Sequence, residues 1–363
     1  MPPKEKPLPL AVLSAKQQPA QKVLHTTPGE GVHLGEGVYW NPRKLPNPHL
    51  AIIGASGSGK TQTLKAIAHE LHTTTDCNII LVDFHGDQAL QGEQCYEFHM
   101  ASSHGINPLE INLDPKGGGC NLQAIAVAAT LKRALQMGVN QEGLLLLIFQ
   151  HCYKQRGITQ EDPASWMKPA PNFKDVEAVI NQRTEDGCKE SKKLQLKLAA
   201  TFQYGVFNKK QPDLYANKLT RLDFSKLPPE LGAIASEAVL KQLMDSHRLK
   251  GETDQQRTFA FIDEVKELKN SPTIDRIFDD GRKYGLGAAV ASQSEQHFSK
   301  EILLNAATKI VLAVDQTEVK KVSSKFRFDE KRVAVLQPLQ ALVRLGATAA
   351  FVHIKPYYQR IGS

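Results

Sequence analysis

One eight-residue stretch settles most of what this chain can be. Gly54-Ala55-Ser56-Gly57-Ser58-Gly59-Lys60-Thr61 matches G-x-x-x-x-G-K-[ST]. Its glycines allow backbone conformations that turn successive N–H groups toward a phosphate, and a following helix adds its positive N-terminal end. Such a loop needs a buried strand before it and a helix after it. Residues 50–53 are a short apolar run and residues 58–71 carry helical spacing, so both flanks are present. Lys60 is then expected to bridge the β- and γ-phosphates of ATP, and the Thr61 hydroxyl to ligate Mg²⁺. Gly54, Ser56, Gly57, Ser58, Gly59, Lys60, Thr61 and Gln62 are the expected nucleotide-binding residues.

A second element supports hydrolysis. Thr258-Phe259-Ala260-Phe261-Ile262-Asp263-Glu264 is an apolar strand ending in two carboxylates. This suits a Mg²⁺-linked Asp263 followed by Glu264 as the base that polarises an attacking water. Acidic residues often follow strands, so the pattern gains its meaning from the phosphate loop. Nucleotide kinases and GTPases do not need the second carboxylate, so Glu264 favours an ATPase that hydrolyses with water.

From residue 49 onward, apolar strands alternate with helical segments. Strands are expected at 50–53, 78–82, 221–224, 258–262, 287–291, 309–314, 341–344 and 349–354. Helices are expected at 58–71, 123–136, 141–154, 175–181, 192–203 and 231–244. Continuous apolar strands separated by helices indicate an α/β fold, a mainly parallel sheet flanked by helices. The expected division is a segment 1–48, with a polar arm to about residue 30 and a short hairpin over 32–40, and a core 49–363 with a helical insertion at about 120–250. Gly117-Gly118-Gly119 reads as a connector, because no suitable strand precedes it.

A third element is Gly281-Arg282-Lys283-Tyr284-Gly285-Leu286-Gly287, followed by a strand and then Ser292-Gln293. Arg282 suits a solvated helix end, where the dipole favours a cation, or an arginine finger reaching a neighbouring subunit's nucleotide. Gln293 suits an ordinary strand cap, or a sensor of the γ-phosphate.

Together these segments resemble the HerA/FtsK superfamily of hexameric DNA-pumping ATPases, more the HerA branch. The resemblance is carried by Asn47-Pro48-His49-Leu50-Ala51-Ile52-Ile53-Gly54, Val82-Asp83-Phe84-His85-Gly86-Asp87, Ile106-Asn107-Pro108-Leu109 and Ala260 to Glu264. Gly281 to Leu286 with Ala291-Ser292-Gln293 completes it. It covers roughly residues 32–355. It implies a RecA-like sheet, a homohexameric ring with ATP between subunits, and duplex DNA in the pore. It also implies Arg282 as the trans-acting arginine and Gln293 as the polar sensor. HerA-type proteins usually carry an N-terminal β-barrel, and only 53 residues precede Gly54 here. That departure suggests either a reduced member or the motor end of a longer chain, similar to the DptH-type proteins of phosphorothioation-dependent DNA restriction. A nuclease or restriction partner follows as an expectation, as does a role in antiviral defence.

Composition sets the remaining limits. The formal charge of +7 and a pI near 9.0 are compatible with a nucleic-acid partner. Basic stretches stand at Lys192, Lys193, Lys197, Lys209 and Lys210, and at Lys320, Lys321, Lys325, Arg327, Lys331 and Arg332. Such runs are usually solvated faces, and one of them is a candidate DNA-facing surface. The five cysteines, scattered and without C-x-x-C pairs, argue for reduced thiols. No run is long enough to span a bilayer, so no membrane partner and a cytoplasmic location are expected. The twelve histidines show no metal-ligand spacing, leaving Mg²⁺ as the expected ion. Two rival readings remain: a nucleotide-controlled switch that moves no DNA, and a secretion- or conjugation-type motor acting on protein or single strands.

Overall fold

The computed structural model describes residues 30–361, so the expected arm before Glu30 lies outside the described residues. The strands are β1 Val32–Gly35, β2 Val38–Trp40, β3 Leu50–Ile53, β4 Asn78–Asp83, β5 Gln94–Glu97, β6 Leu219–Asp223, β7 Thr258–Ile262, β8 Leu286–Ser292, β9 Thr308–Val311, β10 Gln340–Leu345 and β11 Thr348–His353. The helices are α1 Lys60–Thr74, α2 Cys120–Leu135, α3 Val139–Gln155, α4 Phe173–Glu185, α5 Lys189–Lys197, α6 Ala199–Tyr204, α7 Pro229–Leu249, α8 Pro272–Asp280, α9 Lys300–Asn305, α10 Val319–Phe326 and α11 Glu330–Ala334.

Nine strands form one sheet in the order β11-β10-β9-β3-β8-β7-β4-β6-β5. From β9 to β5 neighbouring strands run parallel, while β10 pairs antiparallel with both β9 and β11. The central strands have no solvent-facing side, because helices cover both faces. That is why Leu50–Ile53 and Thr258–Ile262 are apolar at every position or nearly so. One face packs α1 and the β1-β2 hairpin; the other packs α2, α3, α7 and α8. The hairpin is anchored by Trp40, which is fully buried and donates its indole N–H to Thr308 Oγ1 at 2.9 Å.

Two of the segments that carry the family resemblance have a structural use. Asn47 Oδ1 accepts from the backbone N–H of His49 and of Ala307, which fixes the start of β3 against that of β9. His49 is completely buried, and its Nδ1 accepts from Ala288 N at 3.2 Å. Burial pulls its pKa down to about 3, so it is a neutral core ring. Asn107 ties Leu109, Pro171, Gln211 and Gln242 together at the base of the helical layer.

The expected strands and helices recur within a few residues, with three differences. β5 was not anticipated, because Gln-Cys-Tyr-Glu has no apolar run and lies at the sheet edge. Residues 192–203 form two helices, α5 and α6, that meet at Leu198 with ψ near 1°. Helices α8 to α11 are short and were not read from the pattern. Within residues 120–250, α2 to α6 form a helical layer, while β6 belongs to the main sheet and α7 is the crossover from β6 to β7.

Candidate nucleotide site

The phosphate loop leaves β3 at its C-terminal end. Gly54 N donates to Ser292 O at 3.3 Å and Ala55 N to Ala313 O at 2.7 Å, so both neighbouring strands hold the loop's first residues. Gly57 at φ +75° and Gly59 at φ +102° take conformations that L side chains rarely adopt. A Cβ at Gly59 would also lie 2.5 Å from Leu339 Cδ2. Gly54 and Ser58 stand behind the loop: Ser58 is buried, and its hydroxyl fills the space a Cβ at Gly54 would need.

The strand order decides what the loop faces. β8 lies between β3 and β7, so the carboxylates ending β7 reach the same edge of the sheet one strand away. Ser56, Gly57, Gly59, Lys60, Thr61, Gln62, His85, Asp87, Asp263, Glu264 and Gln293 line a single cavity of about 370 Å³. Lys60 Nζ donates to Ala55 O at 2.9 Å. Burial lowers the Lys60 pKa, opposed by the charges of Glu264, Asp263 and Asp87.

Asp263 is buried, and its Oδ1 has no hydrogen-bond partner. Its pKa is raised well above the usual carboxylate range by burial and by the nearby Asp83 and Asp87. One oxygen from each of Asp83, Asp87 and Asp263 lies within 4.8 Å of the others. Thr61 Oγ1 donates to Asp87 Oδ2 at 3.3 Å. Converging carboxylates with an orphaned buried oxygen fit a hard divalent cation, which prefers oxygen donors.

Asp83 has no role legible in the sequence pattern, and the structure supplies one. Asp83 Oδ1 accepts the N–H groups of His85 at 3.1 Å and Gly86 at 2.7 Å, and Oδ2 accepts that of Gln88 at 3.0 Å. The loop that presents His85 and Asp87 to the cavity is therefore wrapped around one carboxylate. Arg221 Nη1 donates to the same Oδ2 at 3.0 Å and to Asp223, while its Nε donates to Glu93 at 2.7 Å.

Glu264 is almost fully buried and is held from β8. Ser292 Oγ donates to Glu264 Oε1 at 2.6 Å, and Gln293 Nε2 approaches Oε2 at 3.4 Å. His297 Nδ1 lies 2.7 Å from the same Ser292 hydroxyl. A hydroxyl has one proton; with that proton on an ionised Glu264, the imidazole must be the donor to Ser292 Oγ. Ser292 stood in the Ala291-Ser292-Gln293 stretch without a role of its own, and His297 was missed because a lone histidine beyond the strand carries no motif.

Arg282 lies elsewhere. It sits in the turn Gly281–Tyr284 before β8, whereas the cavity is at the other end of that strand. Seven residues of strand separate the two by roughly 20 Å. Arg282 instead lines a cleft of about 770 Å³ with Arg43, Glu252, Asp254, Asp279, Asp280 and Lys283 among its walls. Within one subunit it does not meet the phosphate loop.

Comparison with known proteins agrees with this layout. Residues 33–114 match the family model described as the central domain of the helicase HerA, and residues 223–333 match that of the type IV secretion-system coupling protein DNA-binding domain. The chain is 22% identical over 316 residues to the DNA double-strand break repair helicase HerA of Sulfolobus acidocaldarius, covering 80% of this chain and 60% of that protein. It is 31% identical over 88 residues to the DNA import protein CedB of the same organism, covering 23% of this chain and 14% of that one. The chain thus matches 60% of the length of the first relative and 14% of the second. Among solved structures, VirB4 of Thermoanaerobacter pseudethanolicus superposes with a TM-score of 0.75 at 17% identity, covering 90% of this chain and 97% of that one. The bacterial conjugative coupling protein TrwB gives 0.64 at 14% identity, covering 91% and 90%. The chain has the RecA-like fold of these solved structures, and separate stretches of it are similar to HerA and to the type IV coupling proteins.

Proposed function

We propose that this chain hydrolyses ATP to move DNA, and that the cavity at the C-terminal edge of β3, β8 and β7 is its catalytic site. The observation that carries the reading is the convergence of Lys60, Thr61, Asp263, Glu264 and Gln293 on that one cavity. Residues 54–62 hold the triphosphate, with main-chain N–H groups and the Lys60 ammonium balancing its charge. Thr61 and Asp263, with Asp87 beside them, are the ligands offered to Mg²⁺, directly or through water. Bound Mg²⁺ supplies charge neutralisation on the phosphate oxygens. Glu264 polarises the attacking water, and Gln293 sits where a γ-phosphate would be sensed. TrwB has been solved with ADP and Mg²⁺ and with an ATP analogue, which supports the same ligand pair here.

The substrate we favour is duplex DNA, moved by a homohexameric ring that serves a nuclease or restriction partner. The similarity to HerA over 80% of the chain supports this choice. In such a ring Arg282 would enter the next subunit's site, a role compatible with its distance from its own phosphate loop. A conjugation- or secretion-type motor is the second reading, favoured by the coupling-protein match over residues 223–333.

Glu264→Gln should bind ATP with near-normal affinity and hydrolyse it at least about 100-fold more slowly. Wild-type turnover in that variant would remove Glu264 from its role. Stimulation of ATPase by duplex rather than single-stranded DNA separates the first reading from the second, and no stimulation by either points to a nucleotide switch.

A further inference from the structure

On the opposite side of β3 from β8, three cations gather with no anion. Lys309 of β9 and Arg344 of β10 are direct cross-strand partners in the antiparallel register. Like charges placed opposite one another destabilise a sheet. Arg327, at the C-terminal end of α10, completes the group: its carbonyl accepts from Arg344 Nη2, and its charge acts on both Lys309 and Arg344. Among the described residues, none of the three forms an ion pair with a carboxylate. Two lysines of the same helix do, Lys321 with Glu318 and Lys325 with Glu295, so carboxylates are within reach of α10 but do not serve this group.

The group is also built rather than loose. Lys309 is only 8% exposed, and among the described residues it forms no ion pair. The Arg344 guanidinium lies over the Phe328 ring at 5.0 Å, which holds it in place, and its Nε is buried without a partner. Burial depresses the pKa of Lys309 and of Arg344, and the neighbouring guanidinium groups push the same way. Like charges grouped this closely, with the Arg344 Nε buried and unpartnered, raise the free energy of the empty protein, and a bound oxyanion would relieve it.

We propose that Lys309, Arg327 and Arg344 form a phosphate-binding site separate from the nucleotide cavity, and that the phosphate it takes is a phosphodiester of the nucleic-acid backbone. The site lies on the sheet face that carries α10, while the helix following the phosphate loop covers the other face. Guanidinium groups suit phosphate because they offer several N–H donors in one plane. The choice of nucleic acid as the source rests on the DNA-motor reading; the phosphate chemistry does not.

The test uses the full chain with its nucleotide cavity saturated by a non-hydrolysable ATP analogue and Mg²⁺, so that every phosphate position there is filled. Thermal unfolding is followed with inorganic phosphate against chloride at equal ionic strength. Wild type should gain stability with phosphate, and Arg344→Gln and Lys309→Met should lose that gain. Lys309→Met should also unfold at a higher temperature than wild type in phosphate-free buffer, because it removes the repulsion between Lys309 and the Arg327 and Arg344 guanidinium groups. Duplex binding is then titrated against salt. Arg344→Gln should lower the slope of log affinity against log salt by about one.

Loss of the phosphate effect with an unchanged duplex slope would overturn the nucleic-acid source and leave a free phosphate compound as the ligand. An equal phosphate effect in wild type and both variants would overturn the site. Failure of the wild type to bind any duplex would instead refute the DNA-motor reading, and the phosphate arm would still decide this one.

Discussion

Glu264 shows how a single side chain is prepared for the role proposed for it. Its carboxylate is buried, yet it accepts from Ser292 Oγ at 2.6 Å, and His297 stands behind that hydroxyl. Ser292 fixes one carboxylate oxygen, Gln293 Nε2 approaches the other at 3.4 Å, and both Glu264 and Gln293 line the cavity. Ser292→Ala should therefore reduce kcat by about tenfold while leaving nucleotide affinity near wild type, and Ser292→Thr, which keeps the hydroxyl, should recover most of the loss. Steady-state ATPase kinetics with a separate nucleotide-binding measurement checks both statements. A serine that only packs the strand would change stability without this split between kcat and KM. The motif residues Lys60, Thr61, Asp263 and Glu264 were legible in the sequence because their chemistry imposes fixed spacing. Ser292 and His297 obey no such spacing; their role arises only from β8 lying beside β7.

At the scale of elements, the β4 loop depends on β6. Arg221 is buried among Asp83, Glu93 and Asp223, with N–O distances of 2.7 to 3.0 Å. These carboxylates raise its already high pKa further, so it stays charged at any usable pH. The network spans three adjacent strands or their loops and ends at Asp83, around which the loop bearing His85 and Asp87 is folded. Replacing Arg221 by Met leaves three acids facing one another without a cation. The expected cost is about 3–5 kcal/mol of stability, the range for breaking a buried ion pair by removing one partner. Chemical denaturation measures that cost, and a higher Mg²⁺ requirement for nucleotide binding would report the loosened loop. None of this was visible beforehand. Arg221 read as an ordinary strand residue, because two of its partners belong to segments far away in sequence.

Across the whole molecule, buried neutral histidines link stability to pH. His247 on α7 is fully buried, both ring nitrogens lack hydrogen-bond partners, and burial draws its pKa down to about 4. The unfolded chain binds this proton below about pH 6.5. The folded chain does so only near pH 4. Stability is therefore full above pH 6.5 and falls as the pH drops toward 4. At pH 5 the loss from this one residue is about 2 kcal/mol. His247→Phe should flatten the fall in unfolding free energy between pH 7 and pH 5, measured by denaturant titration at each pH. Assembly has its own test. Because Arg282 is at the far end of β8 from its own phosphate loop, Lys60→Ala and Arg282→Ala chains should each be inactive alone. Mixed, they should recover part of the ATPase, since some interfaces then hold both intact groups. A mixture that stays inactive would overturn the trans-acting role of Arg282.

By itself the sequence determined the phosphate loop, the acidic strand end and the parallel α/β class, because backbone sterics, phosphate geometry and burial on both sheet faces each demand particular residues at particular spacings. Only the tertiary structure decided the strand order, and with it the meeting of Lys60 with Glu264 across β8, the Ser292–His297 support, and the Asp83–Arg221 anchor. It also decided that Lys309, Arg327 and Arg344 share one place. The reason is physical: local spacing is written by the chain's own stereochemistry, while contacts between distant segments depend on which strands become neighbours, a choice made by the packing of the entire core.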